Sequence, residues 1–223
     1  MTTLEYRKAG WAESVRKVLR VGDFLLLLAN LTFQEKLFRP RDMRKTAFVE
    51  FGPGPMRIAL VKRLLFGKVF YLDRSDYGIP DQGLRIVNLE DGLNAVDIAV
   101  RCCGLPPDAN AFFFADHCLE HLPEATLEEF FRSLQGGNFA ACFRMPNIDS
   151  PVGSRNFQGD PTHRTSFDHK MRQWLQRLGY SVSFWVRWYR FSVLFRLLAR
   201  RTSAGESAEE IVVTYSALGK RAS

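Results

Sequence analysis

Two groups of residues in this chain have types and spacings suited to chemistry. The first is Glu50-Phe51-Gly52-Pro53-Gly54, which follows a short apolar run and precedes a helical one. Glycines at such a junction let the chain turn tightly and bring backbone N–H donors at a helix start up against a ligand. Asp73 stands 19 residues after Gly54, at the end of the next apolar run. A carboxylate there can accept both hydroxyls of a ribose, so the two features together point to a nucleoside-containing cofactor. The second group carries the histidines, His117, His121, His163 and His169. His163, on a loop with Asp160 close by in sequence, is the first candidate for a general base, and His117, next to Asp116, is the second. His121 reads as a residue that packs or hydrogen-bonds at a helix start, and His169 as a surface residue. His117 and His121 stand at i and i+4, but no third ligand is evident and no metal is expected.

Details of the glycine loop narrow the cofactor. A dinucleotide fingerprint needs a third glycine at position 57, where helix and strand pack closely. Arg57 stands there, preceded by Pro55, which disfavours nicotinamide binding. The absence of Gly-Lys-Ser/Thr excludes a P-loop nucleotide-hydrolysing site.

The elements that must position these groups alternate. Residues 1–45 read as a helical leader, with Trp11, Val15, Val18 and Leu19 at helical spacing. Strand-like runs follow at 46–51, 68–73, 84–88, 111–115 and 139–143, separated by helical segments after Gly54, at 93–103 and at a Thr126-x-x-Glu129 capping box that leads to Gly136-Gly137. A loop spans 147–165, and Ser166 caps a helix whose Met171, Trp174, Leu175 and Leu178 share a face. Strands at 180–187 and 210–217 bracket a basic helix at about 189–201. Strands alternating with helices predict an α/β fold with a doubly wound parallel sheet.

The chain has 223 residues and a formal net charge of +7. Its composition is ordinary for a globular protein, and its longest apolar runs are far short of the roughly 20 residues of a membrane-spanning helix. The N-terminus lacks signal-peptide character, and the four cysteines form no Cys-x-x-Cys pair, so a reduced cytoplasmic protein is expected. The charge is unevenly spread. Residues 49–168 are net −5, whereas 169–205 hold eight bases and no acid. The basic character thus belongs to the flanks. Residues 185–201, aromatic as well as cationic, suit packing on the sheet edge, an acidic or lipid-linked substrate, RNA, or peripheral contact with the inner membrane surface.

Several segments together resemble one family. Val49-Glu50-Phe51-Gly52-Pro53-Gly54-Pro55 looks like the glycine motif of class I S-adenosylmethionine-dependent methyltransferases, and Asp73 stands where their ribose-binding acid stands. Asp116-His117-Cys118-Leu119-Glu120-His121-Leu122-Pro123 resembles the segment after their fourth strand. Gly136-Gly137 and Met145-Pro146-Asn147 match the turn before their fifth strand and its end. Asp160-Pro161-Thr162-His163 is similar to members that accompany glycan or cell-envelope biosynthesis. The resemblance covers about 46–218 and implies a single Rossmann-like domain over 46–223 behind the leader, with seven strands, the last antiparallel. It further implies S-adenosyl-L-methionine held by Glu50, Gly52, Gly54 and Asp73, with Asn88 and Leu89 near adenine and Asp116 and His117 beside the sulfonium. The implied reaction is methyl transfer to a small-molecule or glycan hydroxyl. No Asn-Pro-Pro-Tyr type motif of nucleic-acid amino-methylating enzymes is present. A non-catalytic cofactor-binding protein, and an RNA- or membrane-associated methyltransferase, stand as alternatives.

Overall fold

The computed structural model describes residues 3–33, 35–37, 39–53, 59–75, 83–92, 94–185 and 208–218, with leader side chains from Val18 onward. The expected basic helix at 189–201 and Gly54 lie outside the described residues.

Strands β1 (Ala47–Phe51), β2 (Lys68–Asp73), β3 (Leu84–Ile86), β4 (Ala111–Asp116), β5 (Phe139–Pro146), β6 (Ser181–Trp185) and β7 (Glu210–Ser216) form one sheet in the order β3-β2-β1-β4-β5-β7-β6. The first five are parallel, and β7 runs antiparallel to both β5 and β6. The expected seven-stranded doubly wound sheet is therefore present, with β7 inserted between β5 and β6. β1 and β5 are buried along their whole length because both sheet faces are covered.

Alternation along the strands divides the interior into two cores. On one face Val49, Phe51, Phe113, Ala141 and Phe143 meet helix α4 (Glu124–Ser133), whose Leu127, Phe130 and Phe131, with Leu134 at the C-cap, follow helical spacing. On the other, Phe48, Phe112, Phe114 and Tyr71 meet the leader helix α1 (Thr3–Phe33) through Phe24, Leu27, Leu28 and Leu31. Phe24 sits edge-on to Phe48 and Phe114, each at a centroid distance of 5.8 Å, a favoured aromatic geometry. The leader thus covers one face of the sheet, close to helix α2 (Ala59–Leu65).

Three local expectations change. Helix α4 begins two residues before Thr126, because Pro123 has an extended ψ and its carbonyl accepts the first helical bond, from Leu127 N. After β5, the segment 147–165 is not all loop. It holds a helix (Pro151–Gln158) capped by Ser150 Oγ, which accepts from Gly153 N at 2.9 Å. Eight residues are too short a stretch for a helical period to announce it. Gly153 is required there, since a Cβ would lie 2.1 Å from Asn147 O. The helix His169–Arg177 is capped by Asp168 rather than Ser166, as Thr165 and Phe167 are buried and keep the chain extended past Ser166. Helix α3 (Ala95–Asp97) starts at Asn94 and passes into a π turn, Ile98–Cys102, within the expected 93–103.

Cys102, Cys103, Cys118 and Cys142 are all free thiols, and burial pushes Cys103 and Cys142 up to about 12. Among the described residues no helix is long and apolar enough to cross a membrane.

Because α1 buries one stripe and exposes another, neighbouring leucines should respond differently. Leu27→Ala is expected to cost about 2–5 kcal/mol in urea unfolding, as for other buried leucines. Leu26→Ala, on the exposed stripe, should stay within about 0.5 kcal/mol.

Candidate functional site

In a doubly wound sheet, ligands bind beyond the carboxyl ends of the strands where the winding direction reverses. Here that point lies between β1 and β4. Gly52, just past β1, has φ +55°, a left-handed conformation suited to glycine, and its N–H donates to Leu72 O. A Cβ on Gly52 would come within 2.6 Å of Cys118 Sγ, so the loops after β1 and β4 touch at this residue. Asp73 ends β2, is buried, and accepts from Ser75 N at 3.2 Å. Asn88 Oδ1 caps a 3-10 turn by accepting from Glu90 N at 3.3 Å, and Leu89 packs into the core.

Glu50 behaves differently from its glycine neighbours. Strand alternation sends its side chain to the leader face, where it pairs with buried Lys62 of α2. The Lys62 ammonium also sits above the rings of Phe24, Phe48 and Tyr71 at 5.3–5.6 Å. Burial lowers the Lys62 pKa, opposed by Glu50.

Asp116 and His117 lie at the end of β4. Register sets Asp116 beside Arg144 of β5, and the pairing is bidentate: Nε donates to Oδ1 at 3.1 Å and Nη2 to Oδ2 at 2.7 Å. Nη1 of the same buried guanidinium donates to Asp23 of the leader. Both Asp116 oxygens are therefore engaged by Arg144. His117 has φ +55°, uncommon without glycine and frequent at functional sites. Its Nε2 is 2.9 Å from Glu210 Oε1 and its Nδ1 is 3.2 Å from Glu120 Oε1. Burial disfavours the imidazolium, but the carboxylates of Glu120, Glu210 and Asp116 outweigh it and raise His117 to about 9.

His121 and His163 meet at a ring-centroid distance of 4.6 Å, next to Glu120. The His163 loop is pinned there by backbone bonds from Arg164 N and Thr165 N to Glu120 O, and by Thr165 Oγ1 donating to Leu122 O. His163 Nδ1 is 2.8 Å from Phe157 O, which can only accept, so Nδ1 carries the proton. Thr162 donates its hydroxyl hydrogen to Asp160 Oδ1 at 2.6 Å, and its oxygen, 2.9 Å from His121 Nδ1, accepts from that ring. In its neutral form each ring would thus keep its lone pair on Nε2. The His163 Nε2 atom is 3.9 Å from Glu120 Oε1 and from Asp160 Oδ2. His169 is exposed.

So the fold brings together Gly52, His117, Glu120, His121 and His163 around the loops after β1 and β4. Asp73 stands at the end of the adjacent strand. Sequence reading gave His117, His121 and His163 separate roles, whereas the structure engages His117 with two carboxylates and sets His121 against His163. Arg144, Asp23, Lys62 and Glu210 were not singled out. Arg144 had a signal, as a lone charge in the apolar run Phe139–Pro146 that burial requires to be paired. Asp23, 121 residues away from its partner, had none.

No protein-family model matches the chain, and no curated protein matches it in sequence. Solved structures do match. A SAM-dependent methyltransferase from Archaeoglobus fulgidus superposes with a TM-score of 0.54 at 14% identity, covering 87% of this chain and 100% of that one. The plantazolicin methyltransferase BpumL in complex with SAH gives 0.51 at 11% identity, covering 92% and 89%. The chain has the Rossmann-like fold of these methyltransferases.

The buried Glu50–Lys62 pair yields a direct test. Lys62→Met leaves Glu50 buried without its cation and should cost about 3–5 kcal/mol, measured by urea unfolding. Adding Glu50→Leu should recover most of that loss, because removing both charges restores a satisfied interior.

Proposed function

We propose that this protein is an S-adenosylmethionine-dependent methyltransferase acting on a hydroxyl of a small molecule or glycan. The observation that carries this reading is the junction of β1, β2 and β4. A left-handed glycine cradle that a Cβ would fill, a buried acid at the end of β2 and a histidine-bearing loop all meet the same switch point. The fold shared with SAM-dependent methyltransferases, one of them in complex with SAH, supports it.

Within this reading Gly52, with Gly54, lines the methionyl end and Asp73 accepts the ribose hydroxyls, while Leu89 and Asn88 border adenine. Glu50 supports the loop from beneath through Lys62 rather than by touching the cofactor. Bound S-adenosylmethionine supplies an electrophilic methyl group on a sulfonium, whose sulfur keeps the bonding electron pair as S-adenosylhomocysteine leaves. The chain's task is then alignment and proton removal. His163 receives the acceptor's hydroxyl proton on Nε2, with the Phe157 carbonyl holding the ring orientation. Asp116, fully engaged by Arg144, positions the start of the β4 loop. His117, held between Glu120 and Glu210, is a positioning residue.

Calorimetric titration with S-adenosylmethionine should show binding, weakened by about 10–100-fold in Asp73→Ala, the loss of one charge-assisted hydrogen-bonding group. Unchanged affinity in a folded Asp73→Ala would remove the ribose assignment. His163→Ala should keep cofactor affinity and lose about 10²–10⁴-fold in labelled-methyl transfer to hydroxyl acceptors.

A further inference from the structure

We propose that Glu120, His121 and His163 form a binding site for a divalent first-row transition-metal ion. One ligand atom from each lies within 4.8 Å of the others. At bonds of roughly 2.0–2.2 Å, tetrahedral ligand atoms stand about 3.3–3.6 Å apart, so the side chains complete the set by closing at most about 1.5 Å.

Three independent features favour a cation here. Glu120 is fully buried; its Oε1 lies 3.2 Å from His117 Nδ1, while its Oε2 has no hydrogen-bond partner. Leaving that second oxygen unmet is costly, and a cation would satisfy it. Both imidazoles are already oriented as metal ligands are. Each donates Nδ1–H to an outer acceptor, Phe157 O or Thr162 Oγ1, which fixes the tautomer with the lone pair on Nε2. Finally, the neighbourhood is rich in acid: Asp23 and Asp116 meet Arg144, and Glu120 and Glu210 both approach the ring of His117.

The donor set names the class of ion. Two imidazoles and a carboxylate suit Zn²⁺, Mn²⁺ or Fe²⁺ and leave open positions, whereas Mg²⁺ prefers an all-oxygen shell. Asp160 Oδ2, 3.9 Å from His163 Nε2, is the nearest further oxygen. Metal binding stands on this geometry alone. Its role toward an acceptor rests on the methyltransferase reading: as a Lewis acid it would make the acceptor hydroxyl acidic. The base role of His163 then describes the metal-free protein.

The test uses the full chain, stripped with chelator and free of S-adenosylmethionine, titrated calorimetrically with ZnCl₂ and MnCl₂. One equivalent should bind and raise the thermal unfolding midpoint. His121→Ala, at a half-exposed position, should weaken binding by more than about 100-fold, and Thr162→Val, which removes the outer acceptor, by about 10–100-fold. Circular dichroism checks that each variant is folded. Should His121→Ala not fold, the exposed Thr162→Val serves, and Co²⁺ absorption reports imidazole ligation in the unaltered chain. Wild-type affinity in folded His121→Ala or Thr162→Val, or Co²⁺ bands without imidazole character, would overturn the proposal. So would Zn²⁺ and Mn²⁺ binding no tighter than millimolar. Metal binding without cofactor binding would leave this site standing while removing the proposed function.

Discussion

The buried guanidinium of Arg144 joins two neighbouring strands of the sheet to the leader helix. It stands on β5, holds Asp116 of β4 by two hydrogen bonds and reaches Asp23 of the leader. A cation removed from water is tolerable only when its donors are satisfied and its charge is met, and two aspartates do both. Burial opposes its charge, but Asp116, Glu210 and Asp23 overcome this and raise its pKa. The consequence is geometric. The end of β4, from which the histidine-bearing loop departs, is tied both to its neighbouring strand and to the helix that covers the sheet.

From that anchor the remaining polar groups follow in order. His117 turns through a left-handed backbone conformation directly after Asp116 and lies between Glu120 and Glu210. Glu210 starts β7, the inserted antiparallel strand, so the C-terminal part of the chain enters the same neighbourhood. Glu120 receives the His163 loop through its backbone carbonyl. The site is thus assembled from β4, β5, β7 and a distant loop. Its acidic excess within a net basic chain agrees with the charge partition, in which the positive charge belongs to the flanks.

Much of the fold was legible because its signals are local. Apolar runs of strand length, helical stripes such as Leu127, Phe130, Phe131 and Leu134, and glycines at turns each reflect a few neighbouring residues. Where a boundary depended on distant contacts, local reading failed. Ser166 is as good a cap as Asp168 in isolation, but burial of Phe167 beside Phe131 keeps the chain extended through that point. The helix Pro151–Gln158 rests on a cap and on Gly153 fitting against Asn147, and its eight residues are too few for a helical period to stand out in the sequence.

The amino-acid order alone specified an alternating α/β chain, a glycine turn after its first strand, an acid after its second and a histidine-rich stretch after its fourth. These are properties of residue type and spacing. Partnership is not, because it depends on which side of a strand a residue faces and on which elements fold beside it. Folding therefore assigned Glu50 to Lys62, Asp116 to Arg144 and His117 to Glu120 and Glu210, and it set His163 next to His121, 42 positions earlier. Burial makes each pairing obligatory, since a charge without its partner in that interior would cost several kcal/mol.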